Sequence, residues 1–347
     1  MPTPRIELYS DTKTRPSAAM RQAMAAADVG DDHVGEDPTA NRLCEMVAAL
    51  TGKAAALFLP SGTMCNEVAY RVHCRPGDEV IADKTAHTLH FETGGPAALS
   101  GVMLRTVNGT RGIFTGADVD AAARSPNQYA PRSCLVSVEQ TSNLGGGSVW
   151  PRAALQDVAG AARRNGLALH MDGARLMNAV VAAGVSAADF AADCDSVWID
   201  LTKGLGAPVG AVLAGSADFI GEALRIRQMF GGAMRQAGII AAAGIYALEH
   251  NVERLAEDHA NAKLFAALIA DLPGVHLDPG TVETNLVFFE VSADGLSASD
   301  VAARLEAQGV RIGAMGPRLM RAVTHCDVTT EGVRDAAAAL GTVLGQS

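Results

Sequence analysis

Short apolar segments alternate with amphipathic ones through most of the chain. Seven of the apolar segments predict strands, and their bounds are 54–59, 79–82, 102–107, 134–139, 167–171, 197–201 and 211–214. Amphipathic stretches such as 153–164 lie between them and predict helices. Several of these strands are apolar almost throughout, which indicates a sheet covered by helices on both faces. The alternation therefore predicts an α/β fold with a seven-stranded, mainly parallel sheet.

The alternation changes after residue 232. Helices are predicted over 239–248, 252–272 and 298–308 and after residue 330, with a strand over 285–291. This mixture is typical of a smaller α+β domain. We expect a large domain over 1–250, which includes the N-terminal segment, and a small domain over 251–347.

Composition and charge narrow the class of protein. The 347 residues are 48% hydrophobic and 19% charged, as in globular proteins. Scattered basic residues and a net charge of −10 argue against a nucleic-acid partner. No apolar run reaches the roughly 18 residues that span a bilayer, so we expect no membrane association. Six cysteines without a Cys-x-x-Cys pair favour the cytoplasm and predict no metal site.

Lys203 stands out among only five lysines. It follows the predicted strand over 197–201 and precedes the glycine-rich segment 204–210, so its amine lies at the carboxyl end of a strand. Ligands of open α/β sheets bind at that edge. A partly desolvated lysine there can form a Schiff base with a carbonyl group. A lysine with a buried stem and a solvated amine is the commoner alternative for an isolated residue.

Two further groups end or follow strands at the same edge. Asp172 could hold a proton on a pyridine nitrogen, although taken alone it is better explained as a helix N-cap. The segment Ser61-Gly62-Thr63 opens a helix, where backbone N–H groups and hydroxyls suit a phosphate dianion. A Schiff-base lysine, a pyridinium partner and a phosphate site are together what pyridoxal 5′-phosphate requires.

Three residues are candidates for contacts to the cofactor ring or the substrate. His87 follows the strand over 79–82 and could stack on the ring or transfer protons. Arg321 could bind a substrate carboxylate through its guanidinium, and Ser10 could hydrogen-bond the same group. A buried structural histidine and a surface arginine are the ordinary alternatives.

These segments resemble the low-specificity L-threonine aldolases, which are fold type I pyridoxal-phosphate enzymes. The resemblance covers nearly the whole chain and lies in residues 10–16, 30–39, 61–66, 170–175, 202–210, 231–236 and 323–325. It implies cleavage of a β-hydroxy-α-amino acid, such as threonine, allo-threonine or phenylserine, into glycine and an aldehyde. It also implies a homotetramer whose subunits share active sites.

The resemblance assigns roles to individual residues. For the cofactor it implies a covalent bond to Lys203, a contact of Asp172 with the pyridine nitrogen, phosphate binding by Ser61, Gly62 and Thr63, and ring stacking by His87. For the substrate it implies carboxylate binding by Ser10 and Arg321. Arg175 is expected on the cofactor hydroxyl or the substrate carboxylate, and Arg235 near a neighbouring subunit's phosphate.

One departure concerns Ser142, in the segment Glu139-Gln140-Thr141-Ser142-Asn143, where the family commonly has histidine. Serine does not titrate near neutral pH, so we expect Ser142 near the substrate but His87 or a water as proton acceptor, or else a different substrate. β-Elimination, dehydration and racemisation are alternatives, since the same cofactor supports them. An inactive homologue that still binds the cofactor is a second alternative.

Overall fold

The computed structural model describes residues 4–292 and 295–345. Its larger sheet contains the seven strands that the sequence predicts, namely β2 (Ala55–Leu59), β3 (Glu79–Asp83), β4 (Met103–Val107), β5 (Ser133–Glu139), β6 (Ala168–Asp172), β7 (Ser196–Asp200) and β8 (Ala211–Gly215). The strand order is β2-β8-β7-β6-β5-β3-β4. β8 is antiparallel to both neighbours and the other adjacent pairs are parallel. The predicted α/β fold is confirmed.

Helices cover both faces of this sheet. The helices are α1 (Ala18–Ala25), α2 (Pro38–Thr51), α3 (Gly62–His73), α4 (His87–His90), α5 (Gly116–Ala122), α6 (Arg152–Arg164), α7 (Leu176–Ala183), α8 (Ala187–Ala191), α9 (Ala217–Met229), α10 (Gly238–His250), α11 (Leu255–Ile269), α12 (Ala298–Ala307) and α13 (Thr330–Gly345). Side chains of a strand alternate between the faces. Phe58 therefore joins the core that includes residues of α2, α6 and α10, whereas Leu57 and Leu59 join the core formed with α3 and α9.

The smaller sheet has the order β1-β11-β12-β10-β9. Its strands are β1 (Ile6–Leu8), β9 (Val275–His276), β10 (Leu286–Val291), β11 (Val310–Ala314) and β12 (Leu319–Val323). The sequence predicts only β10 among these. β1 comes from the N-terminal segment and runs parallel to β11, so this segment joins the C-terminal sheet. The division of the chain at residue 250 stays a prediction.

The helices α11, α12 and α13 share one apolar core with the smaller sheet. Among the described residues, no helix has both the length and the apolar character that crossing a membrane requires.

Candidate active site

The N-terminus of α3 offers free backbone donors. Ser61 caps the helix, and its Oγ accepts a hydrogen bond from the Met64 amide at 3.2 Å. The first amides of a helix have no partner within it, so those of Gly62 and Thr63 are available to an anion. Gly62 packs against the Trp198 ring, where the Cβ of any other residue would collide.

Lys203 is held in a strained turn directly after β7. Its φ is +49°, in the left-handed region that side chains other than glycine rarely adopt. Thr14 Oγ1 donates a hydrogen bond to the Lys203 carbonyl at 2.8 Å. The ammonium Nζ lies 2.9 Å from Asp200 Oδ2 and 5.8 Å from the centroid of the Trp198 ring. The side chain is largely buried. Because Lys203 follows the carboxyl end of β7, its amine lies at the predicted edge of the sheet.

Asp172 is buried and belongs to a network of polar side chains. Its Oδ1 accepts a hydrogen bond from the Ala174 amide, and its Oδ2 accepts one from Asn66 Nδ2 at 2.8 Å. Asn66 Nδ2 also donates to Glu92 Oε1 at 2.8 Å. The indole N–H of Trp198 donates to Asn66 Oδ1 at 2.7 Å, and because an indole can only donate, this contact fixes the orientation of the amide.

His87 contacts the same network. Its Nδ1 is 2.8 Å from Glu92 Oε1, and potential ligand atoms of His87, Glu92 and Asp172 lie within 4.8 Å of one another. Burial disfavours the imidazolium, but the hydrogen bond to Glu92 and the carboxylates of Asp172 and Glu139 outweigh burial, so the pKa of His87 is raised. Burial and the Asp172 charge raise the pKa of Glu139 to about 7.

Arg175 makes a buried bidentate pair with Asp11. Its Nε and Nη2 donate to the two carboxylate oxygens at 2.7 and 2.8 Å. Asn285 Nδ2 donates to Asp11 Oδ2 at 3.0 Å. Burial alone would raise the pKa of Asp11, but the charge and hydrogen bonds of Arg175 hold that pKa well below its usual range. A contact of Arg175 with cofactor or substrate stays a prediction.

Arg321 on β12 keeps an unused donor. Its Nη1 donates to Asn143 Oδ1 at 3.1 Å and its Nη2 to the Tyr9 carbonyl at 3.3 Å, whereas its buried Nε has no acceptor among the described residues. Burial, together with the charge of Arg175, lowers the pKa of Arg321. Ser10 follows Tyr9 and is buried, and its Oγ accepts hydrogen bonds from the amide and hydroxyl of Thr12.

Two of the predicted site residues have other surroundings in this structure. Ser142 is 1% exposed, and its Oγ accepts a hydrogen bond from the Gly145 amide at 3.2 Å. Arg235 is exposed on the surface of the chain and donates to Asp31 Oδ2 at 2.9 Å. A substrate contact by Ser142 and a contact of Arg235 with another subunit both stay predictions.

Several residues of the site are missed by the sequence reasoning. Glu92, Asn66, Asp11 and Asp200 contact the predicted residues directly. Asn66 and Asp11 lie within segments that carry the family resemblance, and Asp200 lies near the carboxyl end of the strand predicted over 197–201. These are the signals that could have found them. Glu92 follows His87 by five residues, a spacing that predicts no contact by itself.

Comparisons with known proteins show the family to which the chain belongs. The family model of the beta-eliminating lyases matches residues 7–293. The chain belongs to this family. Within this lyase family, the low specificity L-threonine aldolase of Escherichia coli K12 is 43% identical over 334 residues, which are 96% of this chain and 97% of that protein. Low-specificity L-threonine aldolase 1 of Arabidopsis thaliana is 41% identical over 334 residues, covering 94% and 93% of the two chains.

A solved structure shares the fold of this lyase-family chain. The threonine aldolase of Leishmania major superposes with a TM-score of 0.83 at 20% identity, covering 98% of this chain and 99% of that one. The predicted fold type I architecture and the predicted resemblance to threonine aldolases are confirmed. The protein is an enzyme of the lyase class.

Proposed function

We propose that this protein is a pyridoxal-phosphate-dependent aldolase that cleaves threonine and related β-hydroxy-α-amino acids to glycine and an aldehyde. One arrangement carries the proposal: Lys203, Asp172, His87 and the N-terminus of α3 meet at one edge of the larger sheet. The similarity to two named threonine aldolases over nearly the whole chain supports the same reaction class.

The residues present fit pyridoxal phosphate. Lys203 is the amine available for covalent attachment, Asp172 is the buried carboxylate that can keep a pyridine nitrogen protonated, and the free amides of Gly62 and Thr63 suit the phosphate. When bound, the cofactor accepts the electron pair left on the substrate α-carbon.

His87 is the group placed to move the hydroxyl proton. The Nδ1 atom of His87 lies 2.8 Å from Glu92 Oε1, and a carboxylate oxygen can only accept a hydrogen bond, so Nδ1 carries the proton and donates it to Glu92. In the neutral ring Nε2 is therefore unprotonated and can accept a proton. The raised pKa of His87 favours that transfer. Ser142 is not suited to this role, because its buried hydroxyl does not titrate near neutral pH.

Arg321 is the residue best suited to hold the substrate carboxylate. Its buried Nε is an unpaired cationic donor, and such a donor costs free energy until an anion binds. The guanidinium of Arg175 already donates two hydrogen bonds to Asp11. Its contribution to substrate binding is therefore its positive charge near Arg321. This arrangement selects amino acids with a free carboxylate.

Product analysis tests the proposal. The purified protein, loaded with pyridoxal phosphate, is incubated separately with threonine, allo-threonine, serine, phenylserine and hydroxyaspartate. We expect glycine and the matching aldehyde in equal amounts. A keto acid with ammonia would instead show β-elimination, inverted substrate would show racemisation, and inertness with bound cofactor would show an inactive homologue; each of these outcomes refutes the aldolase.

A further inference from the structure

Two buried glutamates interact near His87, and one of them, Glu92, contacts the imidazole directly. Glu67 is on α3 and is 2% exposed, and Glu92 follows α4 and is 5% exposed. The charge of Glu92 and a hydrogen bond between the two carboxyl groups both contribute to the raised pKa of Glu67. Two ionised carboxylates cannot hydrogen-bond to each other, and adjacent buried like charges are strongly disfavoured.

Counting donors shows where a proton is required. Glu92 Oε1 accepts from Asn66 Nδ2 and pairs with His87 Nδ1, both at 2.8 Å. Glu92 Oε2 and both carboxyl oxygens of Glu67 are buried without a donor among the described residues. Asn66 cannot supply one, because its amide hydrogens serve Glu92 and Asp172. Protonation of one glutamate provides the missing donor.

The local packing leaves room for this carboxyl group. Gly95 lies against Glu67 Oε1, where the Cβ of any other residue would collide. Glu92 is already stabilised as an anion by its two donors, whereas Glu67 has none. The proton is therefore more stable on Glu67.

We propose that Glu67 is a positioning residue that keeps its carboxyl proton at neutral pH and donates it to Glu92 Oε2, which holds Glu92 as the anion that orients His87. The assignment of His87 to catalysis rests on the proposed function, but the protonation of Glu67 does not.

The electrostatics of the pair support this assignment. Burial raises the pKa of Glu67 to about 8, and the Glu92 carboxylate acts in the same direction. The titratable groups around the pair are His87, which contacts Glu92, Asp172, which shares Asn66 with Glu92, and Glu139, which accepts the His87 backbone N–H. Ionisation of Glu67 puts a second negative charge beside Glu92 and so changes the surroundings of the His87 ring.

Infrared spectroscopy of the cofactor-loaded protein tests the protonation directly. The wild type minus Glu67→Gln difference spectrum at pH 7 should contain the carbonyl band of a protonated carboxylic acid. The band should disappear with a midpoint near pH 8. The Gln variant keeps an N–H donor toward Glu92 but cannot ionise, so it is the conservative replacement. Glu222→Gln, at an exposed glutamate of α9, should leave the band in place.

Proton NMR of His87 tests the positioning role. The ring resonances of the wild type should show their own titration and a second inflection near pH 8, and Glu67→Gln should remove only the second. If the Gln variant does not fold, the spectrum of Glu67→Leu replaces that of Glu67→Gln in the infrared difference.

Two results would overturn the proposal: an infrared difference without the acid band, or a His87 titration that Glu67→Gln leaves unchanged. An intact band in a protein that releases no glycine would instead refute the proposed function and leave the Glu67 assignment in place.

Discussion

Lys203 combines a strained backbone with a paired ammonium group. The left-handed φ costs free energy, and the surrounding contacts, including the Thr14 hydroxyl, maintain it. Asp200 Oδ2 lies 2.9 Å from the Lys203 ammonium, so this carboxylate can accept the proton that the amine must lose before it attacks a carbonyl.

Replacing Lys203 with alanine should abolish the visible absorbance of the bound cofactor. Aldol cleavage should fall by about three orders of magnitude or more, as is usual when a covalent catalytic group is lost. Lys263→Ala, at an exposed lysine of α11, should keep both signals. Absorbance and turnover that survive in Lys203→Ala would show that another amine binds the cofactor.

Asp11 and Arg175 form a pair whose loss should be costly. Asp11→Asn leaves the Arg175 guanidinium buried without a counter-ion, which costs about 3–5 kcal/mol of the free energy of unfolding. Urea denaturation of the two proteins measures the difference. Asp335→Asn breaks an exposed pair with Arg5 and should cost less than about 1 kcal/mol. Equal losses in the two variants would mean that burial of the pair is unimportant.

The same pair predicts a dependence on pH. The pKa of Asp11 is lower in the folded than in the unfolded protein, so its stabilisation is complete above the ordinary value of 3.8 and is lost as the pH falls below it. The free-energy gap between wild type and Asp11→Asn should therefore be constant near neutral pH and shrink in acid. A gap that widens in acid would contradict the assigned sign.

The larger sheet is predictable because most of its strands are continuous apolar segments, and helices such as α6 are predictable because their sequences are amphipathic. The smaller sheet is harder, since β9 has 2 residues, and the pairing of Ile6 with Val310 joins distant parts of the chain. The residues of the candidate site also divide into predictable and unpredictable ones. Asp172, Lys203 and His87 are found because strands end beside them, whereas the contact of Glu67 with Glu92 arises only when α3 packs near α4.

Gly62, at the N-terminus of helix α3, packs directly against the indole ring of Trp198. Gly62→Ala should force the indole and the helix apart, at a cost of about 1–3 kcal/mol in stability, and should weaken cofactor binding. Gly221→Ala in α9 is the matched control, because open space surrounds that position and alanine is the better helix former. Thermal unfolding and a cofactor titration separate the two effects. Unchanged cofactor affinity in Gly62→Ala would show that this close packing does not shape the phosphate site.

The two sheets build the site jointly. Lys203, Asp172 and Arg175 come from the larger sheet, and Arg321 comes from β12 of the smaller one. The N-terminal segment connects them, because β1 pairs with β11 while Asp11 binds Arg175. A substrate carboxylate held by Arg321 would therefore bridge both halves of the molecule.

Arg235 tests whether subunits share active sites, as the resemblance to threonine aldolases implies. It is exposed on its own subunit and binds Asp31 there. If it serves a neighbour's phosphate, Lys203→Ala and Arg235→Ala subunits should complement each other. In a mixed pair, the subunit that keeps Lys203 receives an intact Arg235 from its partner, so that one site is complete. Statistical mixing of these inactive or weak parents should restore about a quarter of the wild-type activity.

The control for this experiment places both changes in one chain. Mixing Lys203→Ala with the double variant Lys203→Ala, Arg235→Ala cannot produce a complete site, since every subunit lacks the amine. Mixing must follow denaturation and refolding together, so that subunits exchange. Activity that equals the average of the separate parents would show that Arg235 does not serve the site of a neighbouring subunit.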